Sequence, residues 1–220
     1  MIVAIDGPAG AGKSTVARAV ARALDIGYLD TGAMYRALTL RALRTGVPLD
    51  DGPALASLAA DEPVTLTDGP GGMRVMMGAD DVTMAIREAD VTAAVSQVAA
   101  HPAVREQMVA RQRQLMQHGD WVCDGRDIGS VVFPAAEVKV FLTASVDERA
   151  RRRHAELVGR GERVDLRGIR DDVERRDQAD SSRAASPLVV ADGAVVVDTT
   201  GMGIDQVVEH IAGMAREVAR

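Results

Sequence analysis

Residues Ala4 to Ala21 read "AIDGPAGAGKSTVARAVA". Within them Gly7 to Ser14, G-P-A-G-A-G-K-S, fit the G-x-x-x-x-G-K-[ST] pattern of a loop that wraps phosphates. Ahead of the loop, Ile2 to Ile5 form a short apolar run. Behind it, "STVARAVARAL" carries apolar residues at helical spacing until Asp25 to Gly27 end the pattern. Strand, glycine loop and helix in this order predict the opening unit of an α/β fold. In the candidate ATP loop of Gly7, Pro8, Ala9, Gly10, Ala11, Gly12, Lys13, Ser14 and Thr15, the backbone N–H groups from Ala9 to Thr15 join the positive end of the following helix. Together with the Lys13 ammonium they favour a polyphosphate, and Ser14 can offer its hydroxyl to Mg²⁺. Only Lys13 and Lys139 among the 26 basic residues are lysines, so a lysine at this position is not a product of abundance. The competing reading is a glycine-rich turn that enters a helix and binds nothing.

The pattern continues outward from this unit. "GYLDTGAMYRALTLRALRTG" (27–46) predicts a short strand around Tyr28 and Leu29, a helix cap at Thr31 and an amphipathic helix to Gly46. "WVCDG" (121–125), "VKVFLTA" (138–144) and "AVVVDTT" (194–200) read as buried parallel strands, and helices begin near Asp147, Leu166 and Ile204. Such alternation implies a mostly parallel sheet covered on both faces, with ligands at the carboxyl ends of its strands. Two segments break the alternation. From Pro63 to Ala89, β-rich runs flank a glycine-proline turn and predict a small inserted meander. "RRRHAELVGRGERVDLRGIRDD" (151–172) is dense in arginine and reads as a mobile flap over phosphates.

The totals restrict the function. A chain of 220 residues suits one α/β domain with a small insert. Net charge −6 and 2% aromatic residues disfavour a protein that coats nucleic acid or acidic membrane. One cysteine, Cys123, allows neither an internal disulfide nor a multi-cysteine zinc site. The start "MIVAIDG" lacks the features of a signal peptide and no apolar run spans a bilayer, so a cytoplasmic protein is expected.

Further candidates cluster after strands. Thr31, Tyr35 and Arg36 follow the second strand, where Arg36 can hold an acceptor phosphate or simply sit on a capped helix. "CDGRDIG" (123–129) follows a strand, so Asp124 can orient metal-bound water while Arg126 and Asp127 enter the cleft, or the last two form a surface ion pair. "RRDQADSSRAASP" (175–187) offers Arg176, Asp177, Asp180 and Arg183, and spacings of four and three put Arg176, Asp180 and Arg183 on one helical face; a solvated helix laced with salt bridges is the plain alternative. The four histidines show no metal-ligand spacing.

With these pieces together, the chain resembles the bacterial cytidylate kinases, within the nucleoside monophosphate kinases of the P-loop class. The likeness is carried by "IDGPAGAGKST", "YLDTGAMYRALT", "VSQVAAHPAVRE", "DGRDIGSVVFPAAEVKVFLTAS" and "RDQADSSRAASPL", in family order and almost end to end. It implies one P-loop kinase domain over 1–220, with a core of about 1–62 and 119–220, an NMP-binding insert of about 63–118 and a lid of about 151–168. It also implies roles for single residues. Ser96, Arg105 and Asp127 would read cytosine, and Tyr35, Arg176 and Asp180 would hold the ribose. Thr31 would lie among them, and Arg36, Arg126 and Arg183 would bind the CMP phosphate. Lys13, Arg126 and Arg183 would be the catalytic cations, and Arg149 and Arg153 would approach ATP, with Arg160 and Arg163 as further flap candidates. Ser14 would hold Mg²⁺ directly and Asp124 through water.

The expected reaction is transfer of the γ-phosphoryl group of MgATP to CMP, and to dCMP as the family implies, by a monomer without nucleic-acid or membrane partners. Another small-molecule kinase, a GTP-dependent switch and a nucleic-acid ATPase are rivals. The switch requires an N-K-x-D motif, and the chain contains no asparagine.

Overall fold

Val3, Ala4 and Ile5 have no exposed surface, which places β1 (Ile2–Asp6) at the centre of a sheet. The computed structural model describes residues 1–61, 64–67 and 73–219. It divides into two units, Met1–Tyr28 with Gly119–Arg220, and Leu29–His118.

In the first unit, β1 pairs in parallel with β6 (Trp121–Gly125) on one side and β7 (Val138–Thr143) on the other. β8 (Val195–Asp198) extends the sheet beyond β7, and β2 (Gly27–Asp30) lies beyond β6, giving the order β2-β6-β1-β7-β8. The buried valines and leucine of β6 and β7 are the continuous apolar runs that a parallel sheet needs when both faces are covered. Helix α8 (Ile204–Val218) buries Val207, Ile211, Ala212 and Ala215, one helical stripe, and packs on α1 (Lys13–Leu24). Helices α6 (Val146–Gly159) and α7 (Leu166–Ser182) form an antiparallel pair over a small core of Ala150, Ile169 and Val173. The arginine-rich stretch is therefore mostly helical, and 160–165 link the two helices. At the far edge, Trp121 stacks so closely on Gly27 that a Cβ there would come within 2.5 Å of the indole ring.

The second unit is built on α2 (Thr31–Thr45), α3 (Gly52–Asp61), α4 (Ala89–Val98) and α5 (Pro102–Leu115). Its core joins Met34, Leu38, Leu55, Val98, Val104 and Met108. The expected meander is a three-stranded antiparallel sheet, β3 (Val64–Thr67), β4 (Arg74–Met77) and β5 (Asp80–Asp81). Its glycine-proline turn at 68–72, and residue 63, lie outside the described residues.

The cap of α2 is Asp30 rather than Thr31. The Asp30 carboxylate accepts from Ala33 N–H at 2.8 Å, while Thr31 is the first helical residue and is buried. An ionised oxygen one position earlier reaches the orphan N–H groups with extended backbone, which Thr31 does not have. Among the described residues, no helix is long and apolar enough to cross a membrane.

Candidate functional site

The loop Gly7–Thr15 leaves the carboxyl end of β1 at a position only glycine can occupy. A Cβ on Gly7, whose φ is 150°, would lie 2.0 Å from the Leu142 carbonyl oxygen. Gly10 and Gly12 take left-handed φ values of 75° and 88°, which turn successive N–H groups inward. Helix α1 then starts at Lys13 with neither a side-chain cap nor an acidic residue in its first turn. Its orphan N–H groups and its positive end are left to an anion.

Lys13 is buried and its Nζ donates to the Pro8 carbonyl at 2.7 Å. Burial, reinforced by repulsion from nearby Arg126, holds its pKa well below the ordinary lysine value, against the pull of Asp124, Asp180 and Asp6. Next to it, Ser14 donates its hydroxyl to Asp124 Oδ2 at 2.8 Å, and Tyr28 donates to Asp124 Oδ1 at 2.8 Å. Hydroxyl and carboxylate oxygens suit a hard cation. No group of three or more acidic, histidine or cysteine side chains among the described residues forms a metal cage. A Mg²⁺ ion that takes its remaining ligands from phosphate and water fits such a sparse donor set.

The peptide of Ala9 is gripped from both sides. Its N–H donates to Asp177 Oδ1 at 3.3 Å and its carbonyl accepts from Arg149 at 2.8 Å. Arg149 also donates to the Ala144 carbonyl at 2.9 Å and pairs with Asp177 at 2.7 Å. Arg149 is thus buried beneath the loop, while Arg153 points along α6 to Glu156 at 2.8 Å and Arg160 pairs with the same carboxylate. Arg163 is exposed. Arg152, which the sequence did not single out, approaches the Ala11 carbonyl at 3.5 Å and donates to Thr199 at 2.9 and 2.8 Å.

Beyond β6 the first unit collects two guanidinium groups and two carboxylates. Arg126 Nε donates to Asp180 at 2.7 Å, which excludes the reading of Arg126 and Asp127 as a surface pair. Arg183 stands 3.9 Å from Asp180 and 4.0 Å from Asp127, and its Nε donates to the Ser186 carbonyl at 2.6 Å. Asp127, Asp180 and Arg183 are all buried side chains, so the solvated-helix reading fails as well. Arg183 meets Asp180 at the i,i+3 spacing, and Arg176 acts on the same carboxylate, so the three residues gather as their spacing predicts. Arg183 is the residue after α7, where the backbone becomes extended (ψ 142°) and the helix ends. Burial opposes ionisation of Asp180, yet Arg126, with Arg183 and Arg176 adding to it, holds the carboxyl below its ordinary range. The same pairing raises Arg126 against the cost of its burial.

In the second unit, Arg36 pairs with Asp30 at 2.9 Å, so one carboxylate both caps α2 and orients this arginine. Arg105 is buried with its guanidinium 5.3 Å from the centre of the Tyr35 ring and donates to the Ala99 carbonyl at 3.1 Å. Ser96 is half-buried on α4.

Asp6, Tyr28 and the Arg152–Thr199 pair stand against these candidates and were missed by sequence reasoning. Asp177, a candidate of the stretch 175–187, meets the Ala9 N–H and Arg149.

A family model for cytidylate kinase matches residues 3–217. The chain is 54% identical over 215 residues to the cytidylate kinase of Geobacillus kaustophilus (strain HTA426), covering 98% of this chain and 96% of that one. It is 53% identical over 213 residues to the cytidylate kinase of Exiguobacterium sibiricum, covering 97% and 96%. Among solved structures, an uncharacterized protein from Eubacterium ventriosum matches with a TM-score of 0.52 at 10% identity over 100% of this chain and 98% of that one, a likeness of fold alone.

Proposed function

The chain belongs to the cytidylate kinase family and phosphorylates CMP, and we propose that MgATP is its donor and that dCMP is accepted alongside CMP. One observation carries the mechanism: α1 starts at the end of the glycine loop with neither a side-chain cap nor an acidic residue in its first turn, and with Lys13 buried at that start. Orphan N–H groups beside a buried cation are costly until a polyanion meets them.

In this mechanism the N–H groups of Gly10 to Thr15 and Lys13 hold the ATP phosphates, while the Ala9 peptide is held by Asp177 and Arg149. Ser14 would hold Mg²⁺ and Asp124 would do so through water, and the ion would supply charge neutralisation at the phosphate oxygens. An oxygen of the CMP phosphate attacks the γ-phosphorus in line. The new P–O bond forms as the bond from the γ-phosphorus to the β,γ-bridging oxygen breaks, and ADP leaves. The attacking oxygen is already anionic, so no general base is needed. Positioning and charge neutralisation by Lys13, Arg126 and Arg183 supply the rate.

For the acceptor, Arg126 and Arg183 serve the CMP phosphate, Arg176 and Asp180 the ribose, and Asp127 the cytosine. A carboxylate accepts from the N4 amino group, where uracil offers another acceptor. From the second unit, Thr31, Tyr35 and Ser96 contribute to the nucleoside, Arg36 to the phosphate and Arg105 to the base. Arg149 acts by shaping the loop at Ala9 and Arg153 by reaching ATP. Residues 63–118 act as the CMP-binding insert and 151–168 as the lid of one kinase domain. The enzyme works as a cytoplasmic monomer on free nucleotides, without nucleic-acid or membrane partners.

The test is ADP release from MgATP with CMP, dCMP, UMP, AMP, GMP, shikimate or no acceptor. Strong preference for CMP and dCMP is expected. Equal release without acceptor would overturn the reading in favour of an ATPase.

A further inference from the structure

Asp6 is the last residue of β1, across from Gly125 on β6, and it is 4% exposed. Both of its carboxylate oxygens are used: Oδ1 accepts from Ile128 N–H and Oδ2 from Gly129 N–H, each at 2.8 Å. These are the first two N–H groups of a π-helical turn, Ile128–Val132, closed by Val132 N–H on the Asp127 carbonyl at 3.1 Å and Phe133 N–H on the Ile128 carbonyl at 2.7 Å. The first N–H groups of a helical turn have no partner inside it. Here a side chain 122 residues earlier supplies both.

We propose that Asp6 is a positioning residue for the acceptor side of the reaction: by accepting from Ile128 and Gly129 it fixes the turn that presents Arg126 and Asp127. The following residue, Gly7, begins the phosphate loop and is wedged against Leu142. One strand end therefore sets the register between the donor loop and the acceptor segment, and in-line transfer depends on that register.

The residue type is demanding. Two N–H groups aimed at one short side chain need two acceptor oxygens. Asparagine offers one, and its amide nitrogen would confront the second N–H. Burial, with Asp127 adding to it, raises the Asp6 carboxyl to about 6, although Lys13 and the two N–H groups pull it down. Across β6, the Cys123 thiol is pushed far above its ordinary range, so it stays neutral. The fold thus keeps an ionised carboxylate at neutral pH against its own stability, a mark of sites held for function.

This inference rests on the CMP kinase reading, and wild-type activity tests that reading separately: if wild type fails on CMP, the reading falls, whereas Asp6 is judged by comparison with wild type. Asp6→Asn is assayed for kcat and KM against CMP and MgATP at pH 8, with a thermal melt as control for folding. A fall of about tenfold or more in kcat/KM for CMP with KM for ATP within twofold is expected. In a folded variant, an unchanged CMP value or an equal loss toward ATP overturns the proposal. Should Asp6→Asn not fold, wild type serves. The amide proton shifts of Ile128 and Gly129 are followed by NMR from pH 5 to 8 beside the affinity for cytidine, which has no phosphate to titrate. Cytidine affinity that weakens as those shifts move supports the proposal, and a flat affinity overturns it.

Discussion

Ser14 and Asp124 are 110 residues apart in sequence, and their side chains meet at 2.8 Å where β1 and β6 end side by side. With Tyr28 holding the other carboxylate oxygen, Asp124 has one orientation. Asp124→Asn preserves the shape and removes the charge. It is expected to lower kcat by about 10–100-fold and to raise the Mg²⁺ concentration for half-maximal rate. A Mg²⁺ titration that superimposes on wild type would remove Asp124 from the metal's surroundings.

Lys13→Ala removes the cation whose charge the fold disfavours by burial and by the neighbouring Arg126. Transfer is expected to fall by about 10²–10³-fold or more, with a melting temperature no lower than that of wild type. Near-normal turnover in the folded variant would sink the mechanism.

Asp180→Ala leaves Arg126 and Arg183 without their shared carboxylate. A loss of about 3 kcal/mol is expected, because uncompensated buried charge remains. The Asp180 carboxyl is depressed in the folded state, so its stabilisation is complete above the ordinary carboxylate range and disappears as pH falls below it. Urea melts of the two proteins should therefore converge at low pH.

Asp6 acts in the opposite sense. Its folded value of about 6 lies above the ordinary 3.8. The stability linked to it is present below the ordinary value and is lost as pH rises through about 6, on the order of 3 kcal/mol. Asp6→Ala should flatten the fall in stability between pH 4 and 7, as read from denaturant midpoints. An identical slope in both proteins would refute the assignment.

Two glycines separate crowding from conformation. Gly7→Ala places a methyl 2.0 Å from backbone oxygen and is expected to prevent folding. At Gly46, φ is 73° and nothing lies within 4 Å, so alanine should cost only about 1–2 kcal/mol. Equal melting temperatures for the two variants would contradict this.

The phosphate loop, the parallel strands and the starts of α6, α7 and α8 were legible in the sequence because local spacing determines them. The π turn at Ile128–Val132 was not, since its bonds depend on Asp6, far away in the chain. Arg152 was indistinguishable from Arg151 and Arg153 until Thr199 selected it. Asp30 and Thr31 are both good caps by composition, and backbone geometry decides between them.

Trp121 is the only tryptophan of the chain, and it stacks on Gly27 within the first unit. Its emission is therefore an optical reporter of that unit alone, whereas helical ellipticity sums over both. Fluorescence and circular dichroism recorded on one sample would reveal whether the two units melt together or in sequence, with no label attached.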